Sequence, residues 1–340
     1  MDFSLFYFAD DADAKEDRYR LLLEGARFAD DRGFAAVWTP ERHFHRFGGL
    51  FPNPAVTAAA VAAVTTRIGV RAGSVVAPLH HPVRIAEEWA MVDNLSGGRS
   101  GISLASGWNP QDFLFAPEAY ERRRELTVEA IETLRALWRG EPCDAGPPGG
   151  IYPRPVQREP RIWLTSGGSV TTFAAAGRAG VGVLTNLLTY GLDDLPERVR
   201  AYRQAYAESG HDGSGHVVLM LHTYLGERRT ATLETASAPL HRYLMTALDL
   251  NLRAAGLPVG DGPAPSDDTF VPVVVVRAAD RYFHRDGLFG TVADARVVVE
   301  RARAAGVDEI ACLIDFGVPV EAALAGLQYI DELRRVCAPG

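Results

Sequence analysis

The chain has 340 residues, of which 47% are hydrophobic, and its mean hydropathy is −0.04, as expected of a globular protein. A chain of this length can bury a large core, either in one barrel domain or in two smaller domains. The formal net charge of −8 argues against nucleic acid as a partner, because polyanions bind basic surfaces. No apolar run approaches the roughly 20 residues that cross a bilayer, so we expect no membrane span.

Cysteine and lysine usage narrows the chemistry further. Cys143, Cys312 and Cys337 are far apart and form no CxxC pair, which favours a reducing cytoplasm and argues against a cysteine metal site. Residues 1–4 lack the basic start of a secretory signal, so we expect a cytoplasmic protein. Lys15 is the only lysine, which makes a lysine Schiff base improbable and excludes a GxxxxGK[ST] phosphate loop.

Short apolar runs alternate with helical patterns along the whole chain. The runs predict strands at residues 3–8, 34–38, 68–70, 101–104, 161–164, 216–224, 288–289 and 308–315. The amphipathic patterns predict helices at residues 17–32, 53–64, 82–95, 118–139, 174–179, 194–209, 231–250, 293–305 and 320–336. Residues 181–184 are interpreted as a short apolar extension that belongs to neither set.

Eight strand–helix units in one run predict an α/β fold, a (β/α)8 TIM barrel that residues 1–340 form as a single domain. The alternative is an open doubly wound sheet, although no GxGxxG follows the first strand. Residues 254–286 break the alternation and are rich in Gly, Pro and Asp at their start. We expect a mobile lid insertion before the seventh or eighth strand there, with a disordered surface loop as the alternative.

Four consecutive strands end in polar or glycine-bearing turns. These turns include residues 39–45, 74–82, 106–109 and 165–172. In barrels the carboxyl ends of the strands carry the active site, so the four turns predict one shared active-site face.

The last of these turns resembles a phosphate cradle. Glycines allow backbone N–H groups to approach an anion, and the start of a helix adds a partial positive charge. The candidate residues of this turn are Ser166, Gly167, Gly168, Ser169, Thr171 and Thr172. A plain helix cap is the alternative interpretation.

The histidines allow two kinds of site. His43 and His45 form an HxH pair that could bind zinc or iron in a metal-dependent barrel hydrolase, provided that later strands add ligands. A neutral His43 that acts as a general base or as a hydrogen-bond donor fits the sequence better. His81 is a further candidate for the pocket, or else only a structural residue ahead of the helix that Pro82 begins.

Two further strand ends could contact a flat ligand. Gly73 and Ser74 leave room beside the third strand, although a tight barrel corner would need the same small residues. Trp108 and Asn109 follow the fourth strand, where an exposed amide could bind a carbonyl or imide edge. A lone Trp at such a position is more often a packing residue.

Together these motifs resemble the bacterial-luciferase-like flavin-dependent monooxygenases over nearly the whole chain. The resemblance rests on residues 37–44 (VWTPERHF), 47–54 (FGGLFPNP), 78–88 (PLHHPVRIAEE), 93–99 (DNLSGGR) and the 167–172 turn. The variants WTPERHF, ASGWNP and LTSGGSVTTF resemble the branch found with polyketide and non-ribosomal peptide biosynthesis.

The resemblance implies a barrel that binds reduced FMN at the carboxyl ends of its strands. It places a cis peptide bond at Gly73–Ser74 under the flavin ring, and Ser106 with the 167–172 turn on the phosphate side. His43 corresponds to the second member of the family's active-site histidine pair, whereas Arg42 stands in the first position. Arg42 is therefore a candidate to hold an anionic substrate group or the flavin.

We therefore expect a two-component oxidoreductase that takes reduced FMN from a separate flavin reductase and uses O2. The branch suggests a small-molecule natural-product intermediate as substrate, which a carrier protein could present, and family members commonly form homodimers. The alternatives are an F420-dependent hydride-transfer enzyme, the metal-dependent hydrolase, and a flavin-binding barrel without catalysis.

Overall fold

The strands of the computed structural model, which describes residues 1–8, 17–147, 150–254 and 273–338, form a closed parallel barrel. In chain order the strands are β1 (Asp2–Phe6), β2 (Ala36–Thr39), β3 (Gly69–Val76), β4 (Ser100–Ala105), β5 (Ile162–Ser166), β6 (Gly182–Asn186), β7 (Val217–Leu225), β8 (Leu288–Gly290) and β9 (Glu309–Leu313). Strands β1 to β7 pair consecutively, and β9 closes the barrel between β7 and β1. The predicted (β/α)8 barrel is therefore confirmed.

Ten α-helices accompany the strands in the described ranges. They are α1 (Arg20–Arg32), α2 (Pro54–Val64), α3 (Pro82–Ser96), α4 (Arg123–Arg139), α5 (Val170–Arg178), α6 (Leu195–Glu208), α7 (Arg229–Ala254), α8 (Val273–Arg281), α9 (Val292–Ala304) and α10 (Val320–Val336). None of these described helices combines the length and apolarity that crossing a membrane requires.

The numbering of the barrel strands differs from the sequence prediction. Residues 181–184, predicted as an apolar extension, contribute to β6, the sixth strand of the barrel wall. The predicted seventh strand, β8, pairs only with the last three residues of β7 and lies outside the closed wall. The apolar pattern did not reveal β6 because this strand is short and starts with Gly182. Strand β8 was counted as part of the wall because β7 extends beyond the wall and pairs with it there.

The predicted lid insertion lies mostly outside the described residues. Residues 255–272 are not described, and the remaining part begins with α8. A short π-helix, Tyr282–Asp286, follows α8, and both Tyr282 and Asp286 are buried. The described end of the insertion, residues 273–286, is therefore helical, and its α8 packs against α7.

The helix boundaries follow from local chemistry. Asn53 accepts hydrogen bonds from the Ala55 and Val56 amides and precedes Pro54, so α2 begins where proline is tolerated and the free N–H groups are capped. Gly33 ends α1 with a φ of 76°, which glycine adopts without steric cost.

The amino-terminal half of the barrel interior is closed by a buried ion pair. Glu309 is fully buried, and its carboxylate lies 2.8 Å from the guanidinium of Arg71. The Arg71 guanidinium packs against both Trp38 and Trp163, at 4.8 and 4.7 Å from their ring centroids. Burial would raise the pKa of Glu309, but the charge of Arg71 and the surrounding hydrogen bonds hold it below its usual value.

Glycines make room for these large side chains. A Cβ on Gly101 would lie 2.8 Å from the Trp163 ring, and one on Gly182 would collide with the same ring. The glycines of β4 and β6 therefore make room for the Trp163 ring on β5 between them. Because this end of the barrel is filled with side chains, a site is expected at the carboxyl end.

Removal of Arg71 should destabilise the fold. Arg71→Met would leave Glu309 as an unpaired buried carboxylate, so we expect the free energy of unfolding to fall by about 3–5 kcal/mol. Urea denaturation at neutral pH measures the change. Arg84→Met is the matched control, because Arg84 is exposed on α3, pairs with Glu88 one turn away, and should contribute at most about 0.5 kcal/mol. Equal losses in the two variants would contradict the role given to the buried pair.

Candidate active site

A chain of contacts joins the loops that follow β2, β3 and β5. The Val76 amide at the end of β3 donates to Glu41 Oε2 at 2.7 Å. Two residues earlier on β3, Ser74 Oγ lies 2.5 Å from Thr165 Oγ1 on β5. The predicted shared face at the carboxyl ends of the strands therefore exists, and it is built around polar contacts.

Glu41 is the centre of this face. Its side chain is 1% exposed, and its Oε1 lies 2.8 Å from His43 Nε2 and 2.5 Å from His80 Nε2. Burial would raise the pKa of Glu41, but the hydrogen bonds from both histidines and from Val76 lower it below its usual value. The site thus contains a buried, ionised carboxylate that holds two imidazoles.

This contact fixes the tautomer of His43. A carboxylate accepts hydrogen bonds only, so Nε2 of a neutral His43 carries the proton and Nδ1 remains a proton acceptor. The ring is 10% exposed and contacts Phe115 at 4.8 Å and Phe44 at 5.7 Å between centroids. His43 therefore combines a fixed orientation with access to the pocket, as a general base requires.

Arg42 points into a second buried cluster. Its Nη1 lies 2.8 Å from Asp112 Oδ2, and the two side chains are only 4% and 2% exposed. Asn109 donates to the other Asp112 oxygen at 2.9 Å, and the Arg42 guanidinium lies 4.8 Å from the Trp108 ring. Burial raises the pKa of Asp112, although Arg42 and Asn109 oppose this rise.

Two predicted pocket residues have structural contacts instead of open positions. His81 is exposed, and its Nδ1 accepts from the Val83 amide at the start of α3, whereas His80 binds Glu41. Asn109, expected to be exposed, is 1% exposed and caps a short 3₁₀ helix, Pro110–Phe115, while it holds Asp112. The exposed neighbour is Trp108, at 46%.

The floor beside β3 carries small polar side chains. The Gly73–Ser74 peptide bond is cis, as the family resemblance implies. A Cβ on Gly73 would lie 2.6 Å from the Phe6 ring, so only glycine fits there. Thr165 Oγ1 contacts Ser74 and, at 2.6 Å, Ser103, so three hydroxyl groups meet at the floor.

The glycine-serine turn leads from β5 into α5. Buried Ser166 accepts a hydrogen bond from the Gly168 amide, and Gly168 has a φ of 115° beside the Tyr190 ring. Ser169 caps α5 through the Thr172 amide and lies 2.7 Å from the Thr171 hydroxyl. At Gly167 an added Cβ would meet no protein atom within 4 Å. The turn therefore presents open space at the start of a helix.

Ser106 is half-buried just after β4, at the same end of the barrel. A cleft of about 810 Å³ lies at the other end, among the amino ends of β5 to β7, where Ile162, Gly182 and His216 contribute to its wall. In parallel barrels the chemistry belongs to the carboxyl ends, so this cleft is not part of the candidate site.

The HxH pair does not converge on one point. His43 binds Glu41, whereas His45 Nε2 lies 3.6 Å from Asp249 on α7. Among the described residues, no three His, Cys, Asp or Glu side chains are grouped so as to hold a metal ion.

Three residues that shape the site were not predicted, namely Glu41, His80 and Asp112. Glu41 and His80 lie inside the motifs that carry the family resemblance, so the motifs marked their positions but not their roles. Asp112 stands three residues after Asn109, a spacing that an Asn-capped turn brings together.

Proteins of related sequence and structure are flavin enzymes and monooxygenases. The chain is 28% identical over 242 residues to the oxygenase component of a flavin-dependent trigonelline monooxygenase from Acinetobacter baylyi, a match that covers 67% of this chain and 66%, just under two thirds, of that relative. The monooxygenase RslO1 from Streptomyces bottropensis has a similar structure, with a TM-score of 0.79 and 24% identity over 98% of both chains.

A second solved structure contains a flavin. The oxygenating constituent of 3,6-diketocamphane monooxygenase from Pseudomonas putida, a type II Baeyer-Villiger monooxygenase in complex with FMN, aligns with a TM-score of 0.72 and 17% identity over 98% of this chain and 97% of that one. The fold alone does not select the cofactor, since F420-dependent enzymes share it. The luciferase-like monooxygenase family profile matches residues 1–318, so the chain belongs to that family.

Proposed function

We propose that the protein is a flavin-dependent monooxygenase that binds reduced FMN at the carboxyl end of its barrel. One observation carries the proposal: Glu41 with its two histidines and the open glycine turn of β5 lie at the same barrel end, linked through Val76, Ser74 and Thr165. The flavin-dependent relative and the FMN-bound structure support this cofactor.

The residues at this end fit FMN. A flat ring would lie over the floor of the barrel where the hydroxyls of Ser74, Ser103 and Thr165 meet. Gly167 leaves space for a phosphate at the start of α5, where free backbone N–H groups and the helix dipole favour an anion. Ser106 and the hydroxyls of the turn would complete the phosphate side.

Reduced flavin, when bound, supplies the reaction with O2. The protein would exclude water, orient the substrate and move protons. His43 would accept a proton at Nδ1 while its Nε2–H stays on Glu41, and the buried carboxylate would stabilise the imidazolium that forms. Trp108 would line the pocket with its ring, whereas buried Asn109 would act only by holding Asp112 beside Arg42.

The rim of the site favours an apolar substrate. Phe44 and Phe115, which pack against His43, are each 55% exposed, and Leu114, the chain neighbour of Phe115, is 72% exposed. An apolar natural-product intermediate, free or presented by a carrier protein, fits this rim and agrees with the branch resemblance. The name of the trigonelline enzyme, an oxygenase component, supports a separate flavin reductase as the source of reduced FMN.

A homodimer is part of the proposal. The neighbouring helices α2 and α3 expose Val56, Met91 and Leu95 at 65%, 55% and 59%. Exposed apolar side chains on adjacent helices are typical of a surface that a second subunit covers.

The cofactor assignment is tested by titration. Reduced FMN should bind at least about tenfold more tightly than reduced riboflavin, because the turn holds the phosphate, and more tightly than reduced F420. Gly167→Val should abolish most of the preference for FMN over riboflavin while it leaves the thermal midpoint nearly unchanged, because the new side chain meets open space. Preferential binding of F420 would instead support the hydride-transfer enzyme, and binding of neither cofactor would refute a flavin role.

The role of His43 is tested by measuring how much of the consumed O2 appears as oxygenated product and how much as peroxide. With reduced FMN, O2 and cyclohexanone as a trial substrate, His43→Ala should lower product formation about 10²-fold or more and raise the peroxide released per flavin oxidised. His81→Ala is the matched control, because His81 contacts only the start of α3 in the described structure. A larger effect at His81 would transfer the proton-handling role to that residue. Unchanged peroxide release in His43→Ala would exclude the role for His43.

The ion pair of Glu41 with His80 predicts a pH-dependent stability. Burial would lower the pKa of His80, but its hydrogen bond to Glu41 raises that pKa above the usual value. The stabilisation from a protonated His80 is therefore complete below about pH 6.5 and disappears as the pH rises through the raised pKa. His80→Gln should lower the free energy of unfolding by about 1–2 kcal/mol at pH 6 and by less at pH 9.

Denaturant unfolding of both proteins at the two pH values measures this difference. His81→Gln serves as the control, because the adjacent His81 makes no ion pair with a described carboxylate. A loss for His80→Gln that is equal at both pH values would show that the imidazole contributes packing alone.

A further inference from the structure

Arg42 is a buried cation whose guanidinium has a hydrogen-bond partner at only one of its three nitrogens among the described residues. Nη1 binds Asp112, yet neither Nε nor Nη2 has a hydrogen-bond partner among the residues that the structure describes, although both atoms are buried. A buried donor without a partner loses its hydrogen bonds to water and gains none from the protein, so two such donors on one side chain destabilise the fold. Unpaired buried donors are typical of a functional position, because a bound ligand can accept their hydrogen bonds.

The two unpaired donors form one edge of the guanidinium. The N–H groups of Nε and Nη2 point in parallel from the same side of the planar group, the arrangement that binds two lone pairs at once. The Asp112 contact at Nη1 and the Trp108 ring hold the plane in place. The edge is therefore preorganised, and a bound group would lose little side-chain entropy.

The edge lies on the same loop as His43. Arg42 is the immediate chain neighbour of both His43 and Glu41, and the carboxylate of its partner Asp112 interacts electrostatically with both of them. Trp108, which packs on the guanidinium, is 46% exposed at the rim. A group bound to this edge would therefore lie near the proton acceptor of the proposed reaction.

The local charge selects the kind of acceptor. Asp112 already neutralises Arg42, and Glu41 is an ionised neighbour, so a further carboxylate would be the third anion in a buried cluster. A neutral oxygen with two lone pairs can accept both N–H groups without that repulsion.

We propose that the Nε–Nη2 edge of Arg42 binds a neutral carbonyl oxygen of the substrate, as in a ketone, an amide or a thioester, and discriminates against carboxylates. This inference rests on the proposed function, since it places the substrate beside His43. With the apolar rim, it defines the substrate as an apolar molecule with a carbonyl group near the reacting atom. Arg42 is then a determinant of substrate specificity.

Two probes of similar shape test the charge preference. Cyclohexanone presents a neutral carbonyl and cyclohexanecarboxylate an anion, and their binding is followed by tryptophan fluorescence and by ligand-observed NMR. Wild-type protein should bind the ketone at least about tenfold more tightly than the carboxylate. Tighter binding of the carboxylate, or binding of neither probe, would overturn the inference.

Variants test whether Arg42 is responsible. Arg42→Lys keeps the charge but lacks the paired donors, and it should weaken ketone binding about tenfold. Arg42→Met with Asp112→Asn removes the buried charges together and should have the same effect without an unpaired carboxylate. Wild-type affinity for cyclohexanone in both variants would refute the role of the edge.

The same samples are titrated with reduced FMN. Failure of wild-type protein to bind FMN refutes the proposed function. Normal FMN binding with equal affinity for ketone and carboxylate refutes only the inference about Arg42.

Discussion

The active-site end of the barrel depends on the burial of one carboxylate. Glu41 has lost nearly all contact with water, and an isolated charge in such a place would cost several kcal/mol. It is tolerated because three donors from two loops converge on it, namely His43, His80 and the Val76 amide. The requirement to satisfy this charge therefore fixes the loop after β2 against the end of β3, and with it the orientation of His43.

The barrel buries a second carboxylate at its opposite end, and the comparison separates structure from function. Glu309 is paired with Arg71, whose charge is permanent and whose guanidinium packs against Trp38 and Trp163. Glu41 is paired with the imidazoles of His43 and His80, a side-chain type that can both donate and accept protons. A buried ion pair thus stabilises the amino end of the barrel. At the carboxyl end, the buried carboxylate holds two histidines, of which we propose that His43 transfers protons.

The sequence predicted the barrel, and it placed the candidate site at the carboxyl ends of the strands, because both follow from periodic patterns. Apolar runs that stop at polar turns marked the strand ends, and Gly33 and Pro54 marked helix boundaries. The strand at residues 182–186 was not predicted, because a short strand that begins with glycine has too few apolar residues to form a clear strand pattern. Such strands are identified by their partners in the sheet, which the sequence does not show.

The roles of individual side chains were harder to predict than their positions. Charged residues are usually exposed, so nothing in the sequence marked Glu41 or Asp112 as buried. Of the adjacent pair His80 and His81, only one can face the cluster, and the choice depends on the 3₁₀ turn Ala77–Leu79 ahead of them. Orientation of this kind is a tertiary property, which explains why the motif pointed to the right segment and named His81.

The family resemblance gives a histidine pair at the position of Arg42 and His43, and the structure explains what the arginine changes. Burial lowers the pKa of Arg42, but Asp112 opposes this effect and the guanidinium remains a cation. A permanent cation cannot serve as a base, so the proposed function assigns proton transfer to His43, whose imidazole Glu41 holds. The first position of the pair is thereby freed for binding, and its two unpaired donors lie beside the only member of the pair that can still accept a proton. The two proposals thus divide substrate recognition and proton transfer between neighbouring residues of a single loop.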